Sequence, residues 1–323
     1  MRAVMMREFG PPRVLEPAEV DEPRPGPGEV VIDVEFANVT FVETQVRAGK
    51  APHPAMLPAL PAILGNGVGG MVAEGAGGGA AGAGRRVVVS LNGTGGYAER
   101  AVASAHRLVE VPEGLAMRDA VALLADGRTA LALANRAQLR PGDTVLVEAA
   151  AGGVGTLLVQ IARNAGARVV ALAGQERKLA VARGLGADLA IDYLDRGWPR
   201  QVREAVGDVD VVFDGVGGDI GLAAFGLLGA GGRFCPFGMA SGSFAPVTPE
   251  LAGERQVTVL AGAGGSAEEL MALVRTAMAE AAAGHLRPVI GQSFPLAQAA
   301  EAHAAIEART TIGKTLLTVP REQ

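Results

Sequence analysis

Cysteine is almost missing from this chain. Its 323 residues include only Cys235, so no intrachain disulfide can form. That cysteine stands in the apolar run 233–237, the setting of a buried thiol rather than of a nucleophile. Aromatic residues make up only 4% of the chain. No apolar run approaches the roughly 18 residues that span a bilayer, and residues 1–10 lack the apolar core of a secretory signal, so a cytoplasmic protein is expected. A concentrated positive charge is also lacking. The 29 Lys and Arg are scattered among 34 Asp and Glu, for a net charge of −5, which argues against nucleic acid or an anionic membrane as a partner.

Glycine, by contrast, is abundant. Its 46 copies are about twice the usual share of roughly 7%, and this length normally divides into two domains. The first hundred residues read as strands and turns, with strands expected over 29–36, 86–91 and 97–102. From about residue 116 the period changes. A helix over 119–135 precedes alternating strands (144–149, 168–173, 189–192, 209–214, 232–237, 257–261) and helices (153–165, 176–185, 220–228). Six strands with crossover helices predict a doubly wound parallel α/β sheet. The helix 267–283 and the strand 314–319 exceed that sheet and are expected to return to the first lobe. The expected domains are therefore 1–118 with 264–323, and 119–263. The Gly- and Ala-rich tract 75–84 reads as a surface connection between strands.

The most informative stretch is 143–155, a short apolar strand entering the turn Gly152-Gly153-Val154-Gly155, which opens a helix. Such a turn binds a dinucleotide pyrophosphate. Glycine admits close approach of the phosphates, and the free N–H groups of the helix start face the anion. Two looser matches, at 75–80 and 262–267, lack the strand, turn and helix context. At the end of the second strand, where NAD-binding sheets carry an Asp or Glu for the ribose 2′-hydroxyl, this chain has Ala173-Gly174, with Lys178 shortly after. A cation without a carboxylate favours NADPH over NADH.

With these features in place, the chain resembles the zinc-free NADPH:quinone oxidoreductase (ζ-crystallin-like) branch of the medium-chain dehydrogenase/reductase superfamily. The likeness covers nearly every residue. It is carried by Phe41-Val42-Glu43-Thr44, Gly95-Gly96-Tyr97-Ala98-Glu99, Ala149 to Gly155, Asp214-Gly215-Val216-Gly217-Gly218, Gly231-Gly232-Arg233 and the segment 286–291. The resemblance implies a Rossmann domain and a β-rich GroES-like domain built from both chain ends. It also implies that Gly174, Lys178, Tyr193 and Arg309 surround the 2′-phosphate, and that Thr129, Val216 and Gly238 lie along the nicotinamide half. At the positions where zinc-dependent relatives carry the catalytic Cys and a His-Glu pair, this chain has Thr40 and Asn66-Gly67, so no metal site is expected. Thr40 and Gln45 also replace an Asn and a Tyr usual in the quinone branch.

The resulting expectation is a zinc-independent reductase that passes hydride from NADPH to a small-molecule quinone or α,β-unsaturated carbonyl. Thr40 and Tyr97 are the candidate catalytic hydroxyls, and His53 is a candidate proton source. His106, His285 and His303 read as surface residues. An enoyl-thioester reductase and a non-catalytic NADPH-binding structural protein remain as alternatives. A homodimer paired through the strand 257–261 is expected by resemblance.

Overall fold

The change of hydrophobic period near residue 116 becomes a division of the chain. In this computed structural model, whose described residues are 1–73, 82–260, 262 and 264–319, two compact units form. Unit 1 is Met1–Ala125 with Ala267–Gln323, and unit 2 is Asp126–Ser266. The tract 75–84 and the looser glycine match at 75–80 lie largely outside the described residues. Among those residues, no helix is long and apolar enough to cross a membrane.

Unit 1 begins with β1 (Arg2–Met6), β2 (Leu15–Glu19), β3 (Glu29–Val39) and α1 (Phe41–Arg47). It continues through β4 (Ala62–Ile63), β5 (Gly67–Val72), β6 (Arg86–Ser90), β7 (Arg100–Ser104) and β8 (Val109–Glu110). The helix α2 (Met117–Ala137) carries the boundary within it. Unit 2 follows with β9 (Thr144–Val147), α3 (Gly153–Asn164), β10 (Arg168–Ala173), α4 (Glu176–Gly184), β11 (Leu189–Asp192) and α5 (Trp198–Val206). It is completed by β12 (Val209–Asp214), α6 (Gly218–Phe225), β13 (Leu228–Pro236), α7 (Pro249–Glu254) and β14 (Thr258–Val259). The chain then returns to unit 1 through α8 (Ala267–Ala282), β15 (Ile290–Pro295), α9 (Ala299–Glu307) and β16 (Lys314–Thr318).

The unit 2 sheet has the order β11-β10-β9-β12-β13-β14, and every pairing in it is parallel. This is a doubly wound sheet whose order reverses between β9 and β12. Helices cover both faces of such a sheet, so the middles of its central strands are apolar; Val145, Leu146 and Val147 are all fully buried. In unit 1, β16 is inserted between β15 and β3, and β3 pairs with β5 and, along its first half, with β7. Its core gathers Ile32, Val34, Leu64, Val68, Tyr97 and Leu317.

Two expectations need correction. The strand read at 97–102 begins at Arg100, because Ala98 makes only an isolated bridge to Ala3. β15 was not anticipated, because in Ile290–Pro295 the inner residues Ile290 and Phe294 are separated by the polar Gln292, the outer side begins with Gly291, and the strand ends in proline.

Candidate functional site

In unit 2 the glycine turn sits between β9 and α3. Gly152 is the N-cap of α3 with φ −81°, and its N–H donates to the Ala149 carbonyl at 2.7 Å. The helix ladder begins with Thr156 N–H donating to Gly152 O at 2.9 Å, so the amides of Gly153, Val154 and Gly155 precede it. A Cβ on Gly155 would lie 2.3 Å from the Ala149 carbonyl oxygen, and one on Gly153 would lie 1.9 Å from Asp126 Oδ2. Gly155 is thus closed to a side chain by fixed backbone, and the helix-start amides of the turn fit an anionic pyrophosphate.

The tip of β10 contains Gly174, which is buried, and Lys178, half-buried in the first turn of α4. A Cβ on Gly174 would touch Leu194 at 3.2 Å and Tyr193 at 3.6 Å, so glycine and tyrosine share one corner of unit 2, with Lys178 in the first turn of the adjoining α4. The acids near this corner are already engaged. Glu176 is ion-paired with Arg183, and Asp192 accepts from the amides of Gln175 (3.1 Å) and Leu194 (2.8 Å). Thr129 is half-buried in α2, and Arg309 belongs to unit 1, where it follows α9 with φ +54°.

Val216 and Gly238 lie on two crossing loops at the C-terminal edge of the sheet. Gly238 N–H donates to the Asp214 carbonyl at 3.2 Å, and Ser241 N–H donates to the Val216 carbonyl at 2.8 Å. A Cβ on Gly238 would strike the Gly215 oxygen at 2.5 Å, so glycine is required for this crossing. Cys235, beneath these loops, is fully buried, and burial pushes its thiol up to about 12. It is a packing residue.

In unit 1, Thr40 is the N-cap of α1 and forms a capping box with Glu43. Its amide and hydroxyl donate to Glu43 Oε2 at 2.6 and 3.1 Å, and Glu43 N–H returns a bond to the hydroxyl at 3.3 Å. Glu43 also accepts from Asn66 N–H at 2.7 Å and from the Tyr97 hydroxyl at 3.3 Å. Burial raises its carboxyl above the usual range, opposed by the Thr40 and Asn66 amides and by the charge of Lys314. The Tyr97 hydroxyl also bonds His303 Nε2 at 2.9 Å. Tyr97 is completely buried, and burial followed by the Glu43 charge holds its phenol well above the ordinary range. Its hydroxyl is engaged by Glu43 and His303.

His303 is not a surface residue, contrary to the sequence expectation. It is fully buried, and burial, with Arg47 adding to the effect, lowers its imidazole to about 3. The signal was present in the sequence: Ala299, Ala302, His303 and Ile306 stand at i, i+3, i+4 and i+7, the inner stripe of α9. Glu43, too, was announced by the Thr-x-x-Glu spacing of a capping box. His53 is exposed, its Nδ1 accepting from Ala55 N–H at 3.1 Å. Among the described residues, no group of three or more His, Cys, Asp or Glu is arranged to hold a metal ion. Thr40, Asn66 and Gly67 do not form a zinc donor set.

Comparison with known proteins agrees with this anatomy. Residues 26–113 match the alcohol dehydrogenase GroES-like domain, and residues 153–279 match the domain described as zinc-binding dehydrogenase. The chain is 31% identical over 325 residues to a quinone oxidoreductase of Pseudomonas aeruginosa, covering 98% of this chain and 99% of that protein. It is 32% identical over 329 residues to a 2-haloacrylate reductase from a Burkholderia species, covering 98% of each. Escherichia coli quinone oxidoreductase, solved in complex with NADPH, superposes with a TM-score of 0.90 at 27% identity over 98% of this chain and 100% of that one. A parallel sheet of this order, a GroES-like match and full-length relatives all lead to one family: the chain belongs to the medium-chain dehydrogenase/reductase superfamily, among its quinone oxidoreductases.

Proposed function

We propose that this protein is an NADPH-dependent, zinc-independent reductase that delivers hydride to a quinone or to the β-carbon of an activated alkene. The observation that carries the cofactor half is the corner of Gly174, Lys178 and Tyr193, where the nearby acids are occupied elsewhere. A lysine and a phenol suit a phosphate dianion, whereas a free carboxylate would repel it. The relatives support the acceptor half. One is a quinone oxidoreductase and another reduces a haloacrylate, and both acceptors are conjugated systems that take hydride without a metal.

Bound NADPH supplies the hydride. The chain's own residues bind and orient. Gly152, Gly153, Val154 and Gly155 would hold the pyrophosphate through helix-start amides, Lys178 and Tyr193 would take the 2′-phosphate, and Thr129, Val216 and Gly238 would line the nicotinamide half. Thr40, half-exposed at the start of α1, is the hydroxyl assigned to the acceptor's carbonyl oxygen. When it turns to the substrate, Glu43 keeps the Thr40, Asn66 and Tyr97 donors, so the buried carboxylate is not stranded.

The deciding experiment follows NADPH oxidation with 9,10-phenanthrenequinone, an α-substituted acrylate and an enoyl-CoA as acceptors. Turnover with either of the first two and none with the thioester is expected. Turnover confined to the enoyl-CoA, or none with any acceptor, would overturn the reading. The protein is also proposed to be a homodimer paired through the edge strand β14, which light scattering tests.

A further inference from the structure

The sheet order brings together two acids to which the proposed function gives no task. β9 runs into Glu148 and β12 ends in Asp214; the two strands are neighbours, with Val147 opposite Phe213, at the point where the sheet order reverses. Both side chains are fully buried. The Val216 amide donates to both, to Glu148 Oε2 at 3.2 Å and to Asp214 Oδ1 at 3.0 Å, and the Gly217 amide adds a 2.6 Å bond to Asp214 Oδ1. The remaining oxygens, Glu148 Oε1 and Asp214 Oδ2, have no donor. Gly221 of α6 leaves Asp214 Oδ2 its space, since a Cβ there would lie 2.6 Å away.

Two buried carboxylates that share the Val216 amide cannot both stay ionised in such a place, because their repulsion adds to the cost of burying each charge. One proton resolves the conflict: it gives one carboxyl a donor and the other something to accept. We infer that Glu148 and Asp214 hold a single proton between them and act as positioning residues, clamping the loop 214–217 that carries Val216 toward the cofactor. The inference rests on the proposed function only for the place of Val216 along the nicotinamide.

The proton resides on Glu148. Its burial, then the charge and contact of Asp214, raise its carboxyl well above the usual range. Two amides converge on one oxygen of Asp214, whereas Glu148 receives one. The proton comes from solvent as unit 2 folds. The clamped loop is otherwise tightly placed: Gly217 has φ +72°, and a Cβ there would come within 2.1 Å of the Ser243 carbonyl oxygen. A loop held so closely transmits a change at Glu148 to Val216 without any contact between Glu148 and a ligand.

The test compares wild type with Glu148→Gln and Glu148→Leu. Glutamine mimics a protonated glutamate, accepting from Val216 through Oε1 and donating to Asp214 through Nε2. Three readouts are used: the carboxylic-acid C=O band in infrared difference spectra, hydrogen exchange at Val216 and Gly217, and NADPH affinity by fluorescence titration. Wild type should show the acid band and Glu148→Gln should lose it. Glu148→Gln should stay within about threefold of wild type in exchange and affinity. Glu148→Leu, having lost about one hydrogen bond to the loop, should exchange faster and bind more weakly by about tenfold. A missing acid band in wild type overturns the shared proton. Amides that exchange more than about tenfold faster in Glu148→Gln overturn the clamp, even if the leucine variant does not fold. If wild type fails to bind NADPH, the proposed function falls, while the band and the exchange rates still decide this inference.

Discussion

The hydroxyl of Tyr97 lies 2.9 Å from Nε2 of His303, with the two rings edge-on at a centroid distance of 5.7 Å. The hydroxyl proton goes to Glu43, so the bond to His303 is donated by Nε2–H, which fixes a neutral imidazole with Nδ1 bare. Tyr97→Phe therefore strands a donor on His303 and removes one from Glu43. It should destabilise the protein by about 1–3 kcal/mol, read from the denaturant midpoint at unchanged slope. A change below about 0.5 kcal/mol would mean that the bond contributes nothing net.

The same histidine sets an acid response. Its folded value of about 3 lies below the ordinary 6.5, so between these two the unfolded chain binds one more proton than the fold. Stability from this group is complete above about 6.5 and declines by up to about 1.4 kcal/mol per unit as pH falls toward 3. His303→Gln should lower stability at neutral pH yet flatten that decline. An unchanged slope between pH 6 and 4, by chemical denaturation, would contradict a buried neutral imidazole.

Within the glycine turn the substitutions should rank by what a methyl would meet. At Gly155 it meets the fixed Ala149 carbonyl at 2.3 Å; at Gly153 it meets only the end of the Asp126 side chain, which can swing away. Gly155→Ala should therefore weaken NADPH binding by tenfold or more, roughly 1.4 kcal/mol, and lower the melting temperature, whereas Gly153→Ala should keep near-normal stability. Calorimetry on the two variants separates them.

Lys178→Ala removes the cation assigned to the 2′-phosphate. The Michaelis constant for NADPH should rise by about tenfold or more and that for NADH should hardly move, as befits a lost charge-assisted contact. Equal rises for both cofactors would refute the assignment.

Metal removal should leave turnover unchanged. Dialysis against EDTA followed by an NADPH oxidation assay checks this, and restoration of lost activity by zinc would count against the reading.

The doubly wound parallel sheet and the position of its glycine turn were legible because both rest on local patterns: apolar runs, crossover helices and glycines at a strand end. The buried acids were not. Glu148 and Asp214 are 66 residues apart in sequence and meet only because β9 and β12 are adjacent in the sheet. His303 was misread because a polar residue in an alanine-rich helix looks solvated, although its place on the stripe of Ala299, Ala302 and Ile306 marks it as inner. Tyr97 stood in a recognisable motif, yet its burial depends on α9, contributed from the far end of the chain.

The insertion of β16 between β15 and β3 also has a bearing on the order of synthesis. Unit 2 is drawn from one continuous stretch, so all its strands have left the ribosome before β16 is made. Until then, residues 36–39 of β3 present an unpaired edge, which Thr315–Thr318 later cover. The nascent protein thus passes through a stage with a finished nucleotide-type sheet and an open-sided first unit, the interval in which pairing with another chain is the competing reaction.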